Sequence, residues 1–434
     1  MPSSSPHPKA ADPRTVAVVL LRRLSRPGHH LDALSRQSEF LALDPRQRRF
    51  VMQLAYGVER RRGTLDFYIA ELSKRPLNRL DAPVLWILRL ALFQIEHLRV
   101  PARAAVHEAV ESCRRLGVTS AGGFVNALLR RFLRSKPELP QGSEASALAV
   151  RTSHPEWLAR RYLERYGCPE AEALLEANNQ PPRPCFWVNT RRQSLEEMSR
   201  LLREADIDSR PWPGLSQALE ADSALAAHAL SRQGRGFFMD AGSQAVLEDL
   251  DLDGCSLLAD VCSAPGSKAF LLASRLPQKA RLLAFDRSLR RLREARRRQG
   301  ELGLGRMSFL QADWEQSSCL APRCHLVLAD VPCSGLGTLR SNPDIRWKFQ
   351  EDGLTRLHGR QIAILEHAYA ATAPGGRLLY VTCSSEPEEN QHVVEAFLTR
   401  HVRARLEEPW RLSMQAERPG DIFFSALLTK PSPQ

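Results

Sequence analysis

The chain is predicted to be an α/β protein: a doubly wound parallel sheet, preceded by an all-α domain and a small α/β connecting subdomain. Three observations predict this. Apolar residues recur at helical spacing from about Pro13 to Ser135. Pro181, Pro182, Pro184, Pro211 and Pro213 then cut the sequence into short pieces. From Ser256 onward, short apolar runs alternate with helical stretches, the pattern of parallel strands joined by crossover helices. The expected domains are 1–140, 150–235 and 236–434.

In the first region Val84, Ile87, Leu88, Leu92 and Ile95 share one helix face, and Phe124, Leu128, Leu129 and Phe132 share another. Pro76, Pro83, Pro101 and Gly122-Gly123 punctuate short helices. Ser135–Ser146, with Pro137, Pro140 and Gly142, reads as a linker. The middle region holds helices near Pro155–Tyr166 and Ala171–Ala177 and the strand-like Cys185–Asn189. In the last region strands are expected at Leu257–Val261, Arg281–Phe285, Met307–Leu310, Leu326–Ala329 and Arg377–Val381, with a late strand at Ile422–Leu428. Helices near Lys268–Arg275, Leu289–Gln299 and Thr355–Thr372 fill the gaps. In an open sheet of this kind the ligand site lies beyond the carboxyl ends of the strands.

The 434 residues carry a formal charge of +12, and residues 1–150 hold 24 Lys/Arg against 13 Asp/Glu. Arg46, Arg48 and Arg49, Arg60-Arg61-Arg62 and Arg130-Arg131 make this third the candidate polyanion grip. No run of eighteen uncharged apolar residues appears, and Met1–Pro6 lacks a basic-then-apolar order, so a soluble, cytoplasmic protein without membrane contact is expected. The proline- and serine-rich ends read as frayed. Nine cysteines without framework spacing argue for free thiols. Cys319 with Cys324-His325 is one loose half-site lacking a second half, so no metal is expected.

The turn Asp260-Val261-Cys262-Ser263-Ala264-Pro265-Gly266-Ser267-Lys268 runs from strand to helix, presenting backbone N–H groups to a ligand. Val261 stands where a phosphate-binding P-loop needs glycine, and no GxGxxG is present. Asp286 ends the second strand, where an acid can bind both hydroxyls of a ribose, and Asp313 follows the third, where a carboxylate could meet an adenine amino group. A nucleoside-bearing cofactor without a polyphosphate fits this recurrence of acids.

Two further strand ends carry thiols: Asp330-Val331-Pro332-Cys333 and Thr382-Cys383-Ser384. A thiolate is a strong carbon nucleophile. Added at carbon six of cytosine, it makes carbon five an enamine carbon able to take an electrophilic methyl group. A protonated or shared carboxyl such as Asp330 can serve the ring nitrogen, and the second thiol can assist release.

These stretches, with Asn342–Trp347, Pro374-Gly375-Gly376, Glu388-Glu389-Asn390 and Gly420–Phe424, resemble the RNA cytosine-5 methyltransferase family that uses S-adenosyl-L-methionine. Ala55–Val58, Leu88–Gln94, Ala104–Val110 and Gly123–Arg131 are similar to the NusB-like RNA-binding domain. Fused, the two resemble the bacterial 16S ribosomal RNA cytosine-5 methyltransferases of the Sun/Fmu type. The resemblance implies a Rossmann-like catalytic domain after an all-α NusB-like one, with structured RNA, 16S ribosomal RNA above all, as partner. It implies Cys383 as nucleophile, Cys333 as the thiol that assists release, and Asp330 between cofactor and base. Cys262, Ser263, Ala264, Pro265, Gly266, Ser267 and Lys268 would hold the methionine part of the cofactor, Asp286 its ribose and Asp313 its adenine, with Lys268 also within the catalytic set. The chain departs from the family's usual Gly-Gly-Lys at Gly266-Ser267-Lys268, from its second alanine at Ser263, and from its Gln-Asp pair at Met239-Asp240. Two alternatives stand beside this reading: a DNA-type cytosine-5 methyltransferase attacking through Cys333, and a non-catalytic NusB-like ribosome-assembly factor.

Overall fold

The computed structural model describes residues 12–26, 29–221, 230–413 and 420–432; the ends read as frayed lie largely outside this set. Contacts divide the chain into two units. One runs up to Gln180 and includes Asn342–Lys348, and the other takes Pro181–Ser341 and the chain from Phe349.

The first unit is helical and is organised by the long helix Pro45–Ser73. Its start is fixed by a capping box in which Asp44 accepts from the Gln47 N–H at 2.8 Å and the Gln47 side chain accepts from the Asp44 N–H at 3.2 Å. Val51, Leu54, Val58, Leu65 and Ile69 are buried on this helix. They share a core with Leu20 and Leu21 of Pro13–Leu24, Leu88 and Leu92 of Ala82–His97, and Leu129 and Phe132 of Gly122–Arg134. Gly57 lets the Phe93 ring press against the helix backbone, since a Cβ there would stand 1.9 Å from that ring. Helices Ala145–Thr152, Glu156–Tyr166 and Cys168–Ala177 also belong to this unit.

Arg60-Arg61-Arg62, read above as part of a cationic patch, are packed instead. Arg60 is 9% exposed and lies over Tyr56, Arg61 pairs with Glu176, and Arg62 lies over Trp86 and Trp347 with Glu59 and Asp66 close by. Burial of their stems on a central helix overrides what a charge run suggests. Asn342–Lys348 also folds here. Arg346, fully buried, donates to Ser153 O at 3.0 Å and Asn179 Oδ1 at 2.7 Å, and burial together with Arg60 pushes it down to about 9.

The second unit holds two sheets. Strands β1 (Cys185–Val188), β2 (Ser209–Pro211), β3 (Ala218–Ala221) and β4 (Gly236–Phe238) form a small antiparallel sheet in the order β2-β3-β1-β4. The larger sheet contains β5 (Leu257–Asp260), β6 (Arg281–Asp286), β7 (Met307–Gln311), β8 (Cys324–Asp330), β9 (Thr372–Thr382), β10 (Arg405–Leu406), β11 (Arg411–Leu412) and β12 (Phe424–Thr429). Its order is β10-β12-β9-β8-β5-β6-β7, with β11 also on β12; β5 to β9 are parallel and β12 runs antiparallel beside β9. Residues such as Leu258, Leu282, Val327 and Leu379 are buried on both faces, as crossover helices require. Trp187 of the small sheet is fully buried against Phe237, 4.8 Å away between ring centres.

The last strand begins at Phe424 and not at Ile422, because the Ile422 N–H is spent on Gly337 O at 2.7 Å. Strand β9 starts at Thr372, ahead of the expected Arg377, since Thr372 pairs with Cys324. No helix among the described residues is long and apolar enough to cross a membrane. No group of three His, Cys, Asp or Glu among them could hold a metal ion.

Gly57→Ala is expected to lower the thermal midpoint by overpacking against Phe93, with a loss of about 1–3 kcal/mol. A thermal melt that matches the parent would show that the two helices separate without cost.

Candidate active site

Strand order reverses at β5, whose neighbours are β6 on one side and β8 on the other, and this is where an open α/β sheet leaves a crevice. The strand ends supply its chemistry. Asp260 closes β5, Asp286 closes β6, Asp330 closes β8 and Cys383 follows β9. A cavity of about 370 Å³ lies there, lined among others by Cys262, Ala264, Pro265, Lys268, Asp286, Asp313, Asp330, Cys333 and Cys383. Of the residues singled out in the sequence, Ser263, Gly266 and Ser267 do not line it. The Ser263 N–H instead donates to Phe285 O at 2.7 Å, Gly266 turns the chain at φ 106°, and Ser267 opens the helix that carries Lys268.

The two thiols meet, with Cys333 Sγ 3.1 Å from Cys383 Sγ and the Cys383 N–H donating to Cys333 Sγ at 3.4 Å. Parallel pairing of β8 with β9, Asp330 opposite Val381, brings the chain ends to one edge. A residue quoted in the sequence only as part of a motif then joins them. The wholly buried Glu389 carboxylate accepts from the Ser334 N–H at 2.8 Å and from Gln361 Nε2 at 2.9 Å. It also accepts from the Ser334 and Ser384 hydroxyls, both at 2.5 Å. Ser334 follows one thiol and Ser384 the other, so a single side chain holds both loops. Asn390 adds to this, accepting from the Thr382 hydroxyl at 2.5 Å and donating to Ser384 O at 3.0 Å. Ser384 lies five residues before Glu389, but Ser334 and Gln361 lie 55 and 28 residues away, so the local sequence gives no signal of this junction.

Lys268 Nζ bonds Asp330 Oδ2 at 2.8 Å and stands 5.0 Å over the Phe423 ring. Burial alone would lower the Lys268 ammonium, but the charge and hydrogen bond of Asp330, with Cys383 and Asp260, together outweigh it and the net shift is upward. The hydrogen bond to Cys383, with burial, pushes the Cys333 thiol well up. Burial followed by Asp260 does the same to Cys262, leaving it a wall residue and not a nucleophile. Burial, with Asp330 nearby, raises Asp260 to about 7. Asp286 accepts from the Ser288 N–H at 2.7 Å and the Ala264 N–H at 3.3 Å; Asp313 accepts from the Glu315 N–H at 3.0 Å.

A doubly wound sheet with an acid-lined cavity at its switch point, next to a nucleophile-capable thiol pair, defines a Rossmann-like methyltransferase fold. Family models agree along the chain: a 16S rRNA methyltransferase RsmB/F model matches residues 249–423, a NusB family model residues 11–134, and a RsmF/B-like ferredoxin-like domain residues 154–228. A probable ribosomal RNA small subunit methyltransferase B from Synechocystis is 33% identical over 92% of this chain and 90% of its own. The ribosomal RNA small subunit methyltransferase B of Escherichia coli O1:K1 is 31% identical over 88% and 90%. Among solved structures, that of PH0851 superposes with a TM-score of 0.82 at 22% identity over 99% of this chain and all of that one. A methyltransferase homologue from Pyrococcus horikoshii gives 0.58 at 24% identity, over 65% of this chain and 97% of that one; both show the shared fold. The chain belongs to the ribosomal RNA small subunit methyltransferase B family, whose members are S-adenosyl-L-methionine-dependent rRNA methyltransferases.

The cavity suits that cofactor by the chemistry of its donor set. Asp286, Asp313 and Asp330 put carboxylates on a wall that Arg287, Arg291 and Arg360 also line; these acceptors match hydroxyl or amino donors, while Lys268 offers an ammonium. The side chain of Ser267 does not enter this lining, so the departure from Gly-Gly-Lys adds no bulk inside it.

Glu389→Ala is expected to destabilise the chain on the order of 3 kcal/mol, because it strands several buried donors. It should also slow formation of a Cys333–Cys383 disulfide by the thiol oxidant diamide, followed by peptide mass mapping. Cross-linking as fast as in the parent would show that the loops hold without Glu389.

Proposed function

We propose that the chain methylates carbon five of a cytosine in small-subunit ribosomal RNA, acting in the cytoplasm. The observation that carries this is the pair of sulfurs 3.1 Å apart on the wall of the same cavity as the Lys268–Asp330 pair. The target cytosine has to leave its stack for carbon six to be reached. The Cys383 thiolate adds at carbon six, and the negative charge that develops on the ring is met at its nitrogen by the proton shared between Lys268 and Asp330. S-adenosyl-L-methionine supplies the electrophilic methyl group when bound, held by residues Cys262–Lys268 with Asp286 at the ribose and Asp313 at the adenine. Carbon five then carries both a methyl group and a hydrogen. That proton passes to solvent, the ring double bond re-forms, and Cys383 leaves as thiolate, its departure assisted by the hydrogen bond from the Cys333 thiol.

Lys268 and Asp330 can serve in this way because neither is free to drift: each holds the other, and Phe423 covers the ammonium. The Cys333 thiol, pushed up by its hydrogen bond to Cys383 and by burial, fits a residue that begins the cycle protonated. The helical unit, through exposed arginines such as Arg46, Arg49 and Arg130, would supply phosphate contacts that position the RNA without reading bases.

Cys383→Ala is expected to reduce methyl transfer to ribosomal RNA to background while cofactor binding by titration stays intact; undiminished turnover would refute the assignment. Cys333→Ala is expected to accumulate a covalent protein–RNA adduct visible on a denaturing gel, linked through Cys383. A variant that turns over without adduct would make Cys333 a wall residue only.

A further inference from the structure

The sheet edge beyond β6 carries a groove that the proposed methyl transfer leaves unused. Strand β7 is outermost on that side, and the helix Leu289–Leu302 packs beside it. Between them lies a hollow of about 470 Å³ whose walls include Leu292, Arg293, Arg296, Met307, Ser308 and Phe309. All of its wall residues fall in the continuous described run 289–309.

The helix holds six arginines, and they divide by what they meet. Arg290 pairs with Glu294, Arg291 with Asp286, and both Arg297 and Arg298 with Glu301. Arg293 and Arg296 are exposed, and among the described residues neither has an ion pair or a hydrogen-bond acceptor. Helical spacing explains the split: Leu289, Leu292, Arg293, Arg296 and Gln299 share the face turned to β7. Among the described residues no acid lines the groove, and Leu292, Met307 and Phe309 give it apolar surface. A concave wall of one charge sign over low-dielectric surface focuses its potential into the hollow, which a convex solvated face does not.

The unmet chemistry is that of an anion with charge at successive points. A cation is repelled there, and an apolar peptide strand added to the β7 edge would leave both guanidiniums unmatched. Arg291 of the same helix lines the catalytic cavity. From Arg291 to Arg296 the helix axis advances only about 8 Å, at 1.5 Å per residue. A polyanion engaged at the cavity therefore passes close to the groove.

We infer that this groove binds the phosphate backbone of the ribosomal RNA substrate beside the target cytosine, through Arg293 and Arg296. The inference rests on the RNA reading above and gives the catalytic unit a grip of its own, separate from the arginines of the helical unit. Contacts of this kind position the RNA without reading its bases.

The test compares the full-length parent with Arg293→Gln/Arg296→Gln, measuring affinity for small-subunit ribosomal RNA over a series of potassium chloride concentrations. Each phosphate contact adds about 0.7 to the slope of log affinity against log salt on a single strand, so the double variant should lower that slope by about 1.4. Its RNA binding should weaken several-fold. Ser308→Glu adds a carboxylate to the other wall and removes no arginine; it should weaken binding in the same direction, and it carries the test if the double variant does not fold by circular dichroism. Arg290→Gln/Arg297→Gln loses the same charge outside the groove and should keep the parent's slope and turnover. Cofactor titration should stay at the parent level in every variant. An arginine variant that falls no further than the Arg290/Arg297 control would overturn the groove alone, and so would weakening by Ser308→Glu with none in the arginine variant. A parent that neither binds nor methylates ribosomal RNA would sink the reading on which the groove rests.

Discussion

Two cysteines fifty positions apart meet because one buried carboxylate holds the loops that carry them. Parallel pairing of β8 and β9 delivers both chains to the same sheet edge, but a strand end leaves the following loop several directions. Glu389 removes that freedom on both sides at once. Burying a carboxylate away from water is expensive unless donors replace the solvent. Here four do, and among the described residues no Lys, Arg or His pairs with it. Charge-assisted bonds of this kind are about twice as strong as neutral ones. The requirement runs both ways: the acid needs both loops in place, and each loop is placed by the acid. Gly337 completes the constraint. Its N–H donates to Cys383 O at 2.9 Å, and a Cβ there would come within 2.3 Å of Ile422 O.

The cavity wall mixes acids with bases, Arg287, Arg291 and Arg360 among them. Asp260, Asp286, Asp313 and Asp330 gather at successive strand ends, and Lys268 is the ammonium bound directly to one of them. Their roles diverge with depth. Asp260, buried and not itself part of the lining, is raised to about 7 by burial and can be kept neutral, while Asp286 is supplied with two backbone N–H donors. Burial first, and then the same acids, push the Cys262 thiol up, so a third thiol on this wall is kept protonated by its surroundings.

Much of this was legible in the sequence because the alternation of apolar runs fixes which residues end a strand, and strand ends in such a sheet face the crevice. Asp286, Asp330, Cys333 and Cys383 follow from that rule alone. Glu389 does not, since its donors come from Ser334, Gln361 and Ser384 and no local pattern announces a carboxylate shared by three segments. Arg60-Arg61-Arg62 misled for a related reason: a charge run names the ends of the side chains, and it is the packing of their stems on Tyr56, Trp86 and Trp347 that decides exposure. Asn342–Trp347 is legible as a motif and silent about its destination. The chain leaves the sheet unit after Ser341 and lays Arg346 among the carbonyls of Ser153 and Asn178 in the helical unit.

The asymmetry of the thiol pair follows from where each lies. Two sulfurs at 3.1 Å cannot both carry a charge without strong repulsion, so one proton has to remain. Cys333 is the thiol that its surroundings push up, through the hydrogen bond with Cys383, through burial and through the Cys383 and Glu389 charges. Cys383 in turn is among the groups that raise Lys268, which places the ammonium within electrostatic reach of that sulfur. A proton favoured on Cys333 and an ammonium on the wall of the same cavity distinguish two identical side chains. The carboxylate that brings the sulfurs together thus also favours the proton on Cys333.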